Sequence, residues 1–188
     1  MDLKKLFSKI PTLHTDRLTL REVSSHDADG VFKVFNDDEV THFNFRNYLS
    51  NVRDARQRIQ YWKTCYAQSQ RLYWGVFQDD QFIGNIGLVH FDLRGDRLEI
   101  GYNLGREYWG HGLMNEALTR ILDYLFAEIG VNRVDALVLP GNESSVKVLK
   151  NLNFKKDGIL RGAAKKRDEG YEDVILYGLV KKDFIHHL

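Results

Sequence analysis

The segment from Arg97 to Leu139 constrains this chain more than any other. Within it, Met114, Leu118, Ile121, Leu122, Leu125, Phe126 and Ile129 recur at i, i+3 and i+4, which puts apolar side chains along one face of a helix. The spacing predicts an amphipathic helix over about residues 110–129, closed by Gly130 as its C-cap. Residues 133–139 follow and end in the unbroken apolar run Ala136-Leu137-Val138-Leu139, which reads as a strand buried on both faces, as in parallel pairing. Ahead of the helix, residues 97–104 alternate as a strand. Strand, crossover helix and strand make one βαβ unit, expected to be right-handed, so the chain must build a sheet with helical cover.

The flanking sequence supplies more strands and shorter helices. Residues 18–23 alternate as a half-buried strand, and Ser24 or Ser25 can cap a short helix running to about Phe35, ended by Asn36-Asp37-Asp38. Val52, Ala55, Ile59, Trp62 and Tyr66 mark a helix over roughly residues 51–68, and Cys65 beside that stripe is expected to be a buried thiol. Strands over residues 72–78 and 81–91 flank Asp79-Asp80, a hairpin turn, and Arg94-Gly95-Asp96 is a second turn. Residues 144–151 read as a short helix, and residues 154–163 and 172–180 as a closing pair of strands around a solvated loop at 165–170. There is no internal repeat or linker, so residues 1–188 are expected to form a single domain with its core at about 15–180.

Charge and cysteine usage narrow the function classes. Lys plus Arg (27) nearly cancels Asp plus Glu (26), and no basic stripe is visible, so a nucleic-acid partner is not expected. One cysteine excludes an internal disulfide, no His or Cys pattern has ligand spacing, and no metal is expected. The sequence shows neither a signal peptide at its start nor an apolar run of 18 residues, which predicts a cytoplasmic protein with no membrane partner.

The chemistry-bearing stretch is Tyr108-Trp109-Gly110-His111-Gly112-Leu113-Met114-Asn115-Glu116, between strand and long helix. Two glycines there allow a tight turn and close approach of bare amides to a ligand, and the first amides of the helix lack internal partners. Such a turn either cradles a pyrophosphate or simply starts a helix. There is no Gly-Lys-Ser/Thr, which excludes a P-loop, and Asn115 stands where a dinucleotide fingerprint needs its third glycine. On the strand at 97–104, Glu99 shares a face with Gly101 and Asn103, near the glycine turn, and a half-buried carboxylate there can act as a base. The same carboxylate could instead pair with Arg97 or Arg133.

Four signatures in order carry a resemblance: Thr15-Asp16-Arg17-Leu18-Thr19-Leu20-Arg21; Glu99-Ile100-Gly101-Tyr102 leading to Tyr108-Trp109-Gly110-His111-Gly112; Asn142-Glu143-Ser144-Ser145; and Asn153-Phe154-Lys155-Lys156-Asp157-Gly158. Together they resemble the GNAT N-acetyltransferase superfamily, and within it the RimJ/RimL-like ribosomal-protein N-acetyltransferases. The resemblance implies an α/β (α+β) fold with a mixed, mostly antiparallel sheet flanked by helices around one central βαβ unit that binds acetyl-CoA. It places the acetyl-CoA loop at Trp109, Gly110, His111, Gly112, Leu113 and Met114, continuing into Asn115. Met114 departs from the small residue usual there, and helical phase turns it toward the core with Leu118.

The resemblance further implies Ser145 as proton donor to the leaving thiolate and Asn142 as a holder of the pantetheine arm; Tyr102 and Tyr108 are alternative acids or packing residues. Asn142 and Ser144 are equally good helix caps. Main-chain groups of Asn103 and Leu104 would pair with pantetheine like an added strand. The acceptor implied is a protein N-terminal amine. Acetylation of a small amine (polyamine, amino sugar or antibiotic) and a non-catalytic acyl-CoA sensor remain alternatives, and a homodimer is compatible with all three. A polyamine enzyme would want an acidic pocket; Asp37, Asp38 and Glu39 cluster, but Arg46, Arg53, Arg56 and Arg58 follow closely.

Overall fold

The computed structural model describes residues 1–43, 48–166 and 170–184. Among them, strands β1 (Leu13–His14), β2 (Thr19–Arg21), β3 (Leu72–Gln78), β4 (Gln81–Asp92), β5 (Arg97–Leu104), β6 (Arg133–Val138), β7 (Lys155–Lys166) and β8 (Gly170–Val180) form one sheet in the order β1-β2-β3-β4-β5-β6-β8-β7. Every neighbouring pair is antiparallel except β5 and β6, which run parallel. The hairpin at Asp79-Asp80 turns through two positive-φ residues (47° and 61°), the sense of turn that follows the right-handed twist of the strands.

Alternation along the strands sends side chains to two helical layers. On one face Leu72, Trp74 and Val76 of β3, Ile86 and Leu88 of β4, and Leu98 and Ile100 of β5 pack with α5 (Leu113–Asp123). On the other, Phe77 and Phe82 pack with α2 (Ala28–Phe35) and α4 (Val52–Ala67). Ser24 closes a capping box at the 3-10 turn leading into α2, and Asn51 caps α4. Cys65 is buried, as expected of a packing thiol.

Three further elements were invisible in the periodicity. A short helix α1 (Leu3–Ser8) and strand β1 precede the first expected strand, and α3 (Asp38–Thr41) occupies what reads as a turn. Each is too short to display a period. The long helix also differs from expectation at both ends. It starts at Leu113 rather than 110, because Gly110 and Gly112 take φ of +79° and +75°, which a right-handed helix cannot absorb. After Asp123 it continues as a wider π turn over Tyr124–Ile129, closed by Gly130 at φ +74°.

β6 corrects one expectation outright. Its run Ala136-Leu137-Val138-Leu139 is not buried on both faces, since Leu137 is 40% exposed. Parallel pairing with β5 covers only Arg97↔Arg133, Leu98↔Val134 and Glu99↔Asp135, after which the two strands part and β6 stays bonded to β8 alone. The helix α6 (Glu143–Asn151) follows that separation.

Candidate active site

The parting of β5 from β6 creates the site. Beyond Glu99, β5 has no strand on its β6 side among the described residues, and a cleft of about 450 Å³ opens there between β5, the glycine loop, α5 and α6. Of the residues singled out in the sequence, Asn103, Leu104, Trp109, Gly110, Gly112, Leu113, Met114, Asn115, Asn142 and Ser145 line this cleft. His111 does not. Its side chain is exposed and its carbonyl turns away to accept from Arg17 Nη1 at 3.1 Å. Glu99 is also outside the lining, at the point where the strands separate.

The ladder between β4 and β5 decides which main-chain groups of β5 face the opening. Gly105 N–H donates to the Ile83 carbonyl at 2.8 Å, which fixes the phase of an antiparallel ladder. Counting back from it, Asn103 commits its main-chain groups to Asn85 of β4, and a Cβ added at Gly84 would come within 2.3 Å of the Asn103 carbonyl oxygen. The outward groups therefore belong to Tyr102 and Leu104, with Asn103 lining the cleft between them. The Asn103 side chain donates to Oδ1 of the buried Asn85 at 3.0 Å. The Leu104 carbonyl accepts from the Trp109 indole N–H at 2.7 Å, so Trp109 is pinned across the end of β5.

Met114 is 5% exposed and packs with Leu118 in the core, so its bulk points inward while its flank borders the cleft. Asn115 ties the first turn of α5 to α6 by donating to the Val148 carbonyl at 2.9 Å. Asn142 is the N-cap of α6: its Oδ1 accepts from the Ser145 amide at 3.1 Å and from Ser144 Oγ at 3.0 Å.

Ser145 is not alone. Its Oγ lies 2.8 Å from the Tyr102 hydroxyl, a contact between residues 43 apart in sequence. Burial pushes the Tyr102 phenol well above its ordinary range, so it stays protonated at any pH the protein meets. Either hydroxyl can donate in this contact, and the Tyr102 hydroxyl also reaches the Ser145 carbonyl at 3.4 Å, so the two residues form one hydroxyl pair at the edge of the cleft.

Glu99 lies on the opposite face of β5 from Tyr102. Beside it, a Cβ placed on Gly101 would meet nothing within 4 Å, so there is open space between Glu99 and Asn103. Burial raises the Glu99 carboxyl above the usual glutamate range; His90, its neighbour on β4, and Arg71 oppose this, and Asp135 on β6 adds to it. The pairing with Arg97 or Arg133 does not form. Those guanidiniums serve the buried Asp135, from Arg133 Nε at 2.6 Å and Arg97 Nη1 at 3.5 Å, and also Asp157 and Asp92. Among the described residues, Glu99 is thus half-buried and in no ion pair, with His90 and Arg71 acting on it only through the field.

A layer that no local pattern in the chain assigned to the site sits behind the glycine loop. Glu116 accepts from Thr15 Oγ1 (2.5 Å), the Arg17 amide (3.0 Å) and Arg17 Nε (2.6 Å). Although burial works the other way, these bonds hold Glu116 below its ordinary carboxylate range. Thr15 and Arg17 stood out only as part of a signature; their partner lies 101 and 99 residues further along the chain.

Comparison with known proteins agrees with this geometry. Residues 17–155 match the acetyltransferase (GNAT) domain family. An uncharacterized N-acetyltransferase of Bacillus licheniformis is 37% identical over 175 residues, covering 92% of this chain and 98% of the relative. The ribosomal protein uS5-alanine N-acetyltransferase of Escherichia coli (strain K12) is 29% identical over 158 residues, 78% of this chain and 79% of that one. Mycobacterium smegmatis RimJ in complex with CoA-disulfide shares the fold with a TM-score of 0.80 at 19% identity, over 92% of this chain and 87% of that one.

The chain belongs to the GNAT acetyltransferase family, and it is an acyltransferase acting on amines. Among the described residues no helix is long and apolar enough to cross a membrane.

Proposed function

We propose that this protein transfers the acetyl group of acetyl-CoA to the N-terminal α-amine of a protein, with a ribosomal protein as the acceptor class. The observation that carries the donor half is the open edge of β5 beyond Glu99, facing a loop whose two glycines hold positive φ. The main-chain groups of Tyr102 and the N–H of Leu104 on that edge suit an extended amide chain such as pantetheine, while Trp109 holds the Leu104 carbonyl. The amides opening α5 suit its diphosphate. The M. smegmatis relative, solved with CoA-disulfide, supports the same use of the fold.

The acceptor amine approaches from the Glu99 face. It attacks only when neutral, its lone pair forming the C–N bond to the acetyl carbon as the C–S bond breaks and those electrons pass to sulfur. Glu99, outside the cleft lining, takes the amine proton through water across the open space beside Gly101. Burial lifts its basicity toward that task. Ser145, paired with the protonated Tyr102 hydroxyl that can replace its proton, donates to the departing thiolate.

An α-amine with pKa about 8 needs only about 1 kcal/mol of deprotonation at pH 7, whereas a polyamine near 10 requires roughly 4 kcal/mol, beyond what one half-buried carboxylate supplies easily. The cleft is not an acidic well either. Of Asp37, Asp38 and Glu39 only Glu39 lines it, Lys147 lines it too, and Asp37 is paired with Arg106 at 3.1 Å. Arg46 lies outside the described residues, as do 167–169 of the loop expected between the last strands and the terminal His186-His187.

The test is calorimetric titration with acetyl-CoA and free CoA, then mass spectrometry of acetyl transfer to an alanine-initiated peptide and to spermidine. Micromolar binding and peptide acetylation support the reading. Transfer to spermidine alone overturns the acceptor assignment, and no binding by folded protein overturns the donor.

A further inference from the structure

We infer that Arg17 and Glu116 form a lock that sets the orientation of the glycine loop, making Arg17 a positioning residue for the diphosphate of acetyl-CoA; this rests on the acetyl-CoA reading above. The network has three attachment points. Arg17 donates through Nε to Glu116 Oε2 at 2.6 Å and through Nη1 to the His111 carbonyl at 3.1 Å, while Glu116 also holds the Arg17 amide and Thr15 Oγ1. The corner between β1 and β2 is thereby fastened both to the first turn of α5 and to the middle of the loop before it.

The consequence follows from peptide geometry. Among the described residues there is no cis peptide, so the carbonyl of His111 and the N–H of Gly112 point in opposite directions within one plane. Arg17 holds the carbonyl on its own side. The Gly112 N–H is therefore turned to the other side, where Gly110 and Gly112 line the cleft and where neither His111 nor Arg17 does. Flipping that peptide changes ψ of His111 and φ of Gly112, and the glycine, now in the left-handed region, absorbs its share at little torsional cost. Without the guanidinium the plane can rotate, and a carbonyl oxygen would then face the anion in place of an amide.

A guanidinium suits this role because its rigid fork reaches a carboxylate and a carbonyl at once, which an ammonium does not. Glu116 neutralises the fork and fixes its direction. Arg17 thus acts on the ligand through the loop and not by touching it.

Arg17→Ala, Arg17→Lys and Glu116→Gln test this in the full chain, with thermal unfolding as the check on folding. Affinity is measured for CoA by calorimetry and for pantetheine, which has no diphosphate, by NMR titration. Both Arg17 variants and Glu116→Gln are expected to weaken CoA roughly tenfold, about the loss of one good hydrogen bond, with pantetheine affinity within about twofold of wild type. Equal weakening of both ligands would mean general disruption and overturn the lock. So would unchanged CoA affinity in Arg17→Ala or full recovery in Arg17→Lys. Unchanged or tighter CoA binding by Glu116→Gln would overturn it too, because freeing Arg17 would then have helped and the contact would be direct. A wild-type protein that binds no CoA sinks the acetyl-CoA reading itself, a result distinct from all of these.

Discussion

Replacing Gly112 with alanine separates two demands that the native loop meets together. At φ +75° an L-residue costs about 1–2 kcal/mol, and the added methyl would meet only Arg17 Nη2 at 3.8 Å, an ordinary contact. The penalty is thus torsional rather than steric. Reduced freedom of the unfolded chain offsets about 0.4–1 kcal/mol of it, leaving a net loss near 1 kcal/mol. For a domain of this size that lowers Tm by roughly 2–4 °C. Acetyl-CoA at about 100 times its Kd adds roughly 2.7 kcal/mol to the wild type. If the substituted residue is held in the left-handed region, Gly112→Ala loses stability and keeps this ligand-induced gain. If the loop relaxes, Tm recovers and Kd rises by about 5–30-fold, the same 1–2 kcal/mol appearing in binding. Thermal scans with and without acetyl-CoA read both quantities. A variant that keeps the wild-type Tm and the full ligand shift refutes the claim that the loop needs its left-handed glycine.

Three further substitutions test the transfer chemistry. Glu99→Gln is expected to lower kcat by about 100-fold or more while leaving the acetyl-CoA Kd unchanged, as loss of a general base requires. Because burial raises its folded-state pKa, ionised Glu99 destabilises the native state, so the variant should show a higher Tm at pH 7. That gain should disappear as pH falls below the unfolded glutamate pKa, about 4.3, and the rate of the native enzyme should rise with pH through a limb above the ordinary carboxylate range. Tyr102→Phe should reduce kcat by frustrating the Ser145 rotor, and a Tyr102→Phe/Ser145→Ala double mutant should be no slower than Ser145→Ala alone; additive losses measured by steady-state kinetics would break the proposed dyad.

Much of the fold was legible because it depends on short-range periods. The apolar series from Met114 to Ile129, the alternation of residues 97–104, the Asp79-Asp80 turn and the Gly130 cap each declare themselves within a few residues, where backbone geometry and burial act locally. The glycine loop was legible for the same reason, since its positive φ values demand those residues in place. Glu99 could be placed on its face of β5 by counting, and Met114 in the core by helical phase.

What surrounds those groups was decided only when distant segments met. Nothing local in β5 or β6 states that their pairing ends at Glu99↔Asp135, yet that separation opens the cleft and leaves Leu137 exposed. Which guanidinium neutralises which carboxylate also depended on the sheet register, and it gave Arg97 and Arg133 to Asp135 rather than to Glu99. Ser145 finds Tyr102, and Arg17 finds Glu116, across 43 and 99 residues of chain. Periodicity says which face a side chain takes but not what stands opposite it. The order of residues alone was therefore enough to establish the family, most of the strands and helices, and the loop. Which edge of β5 is open and which carboxylate stays outside an ion pair were settled by packing, because each is a property of two segments brought together.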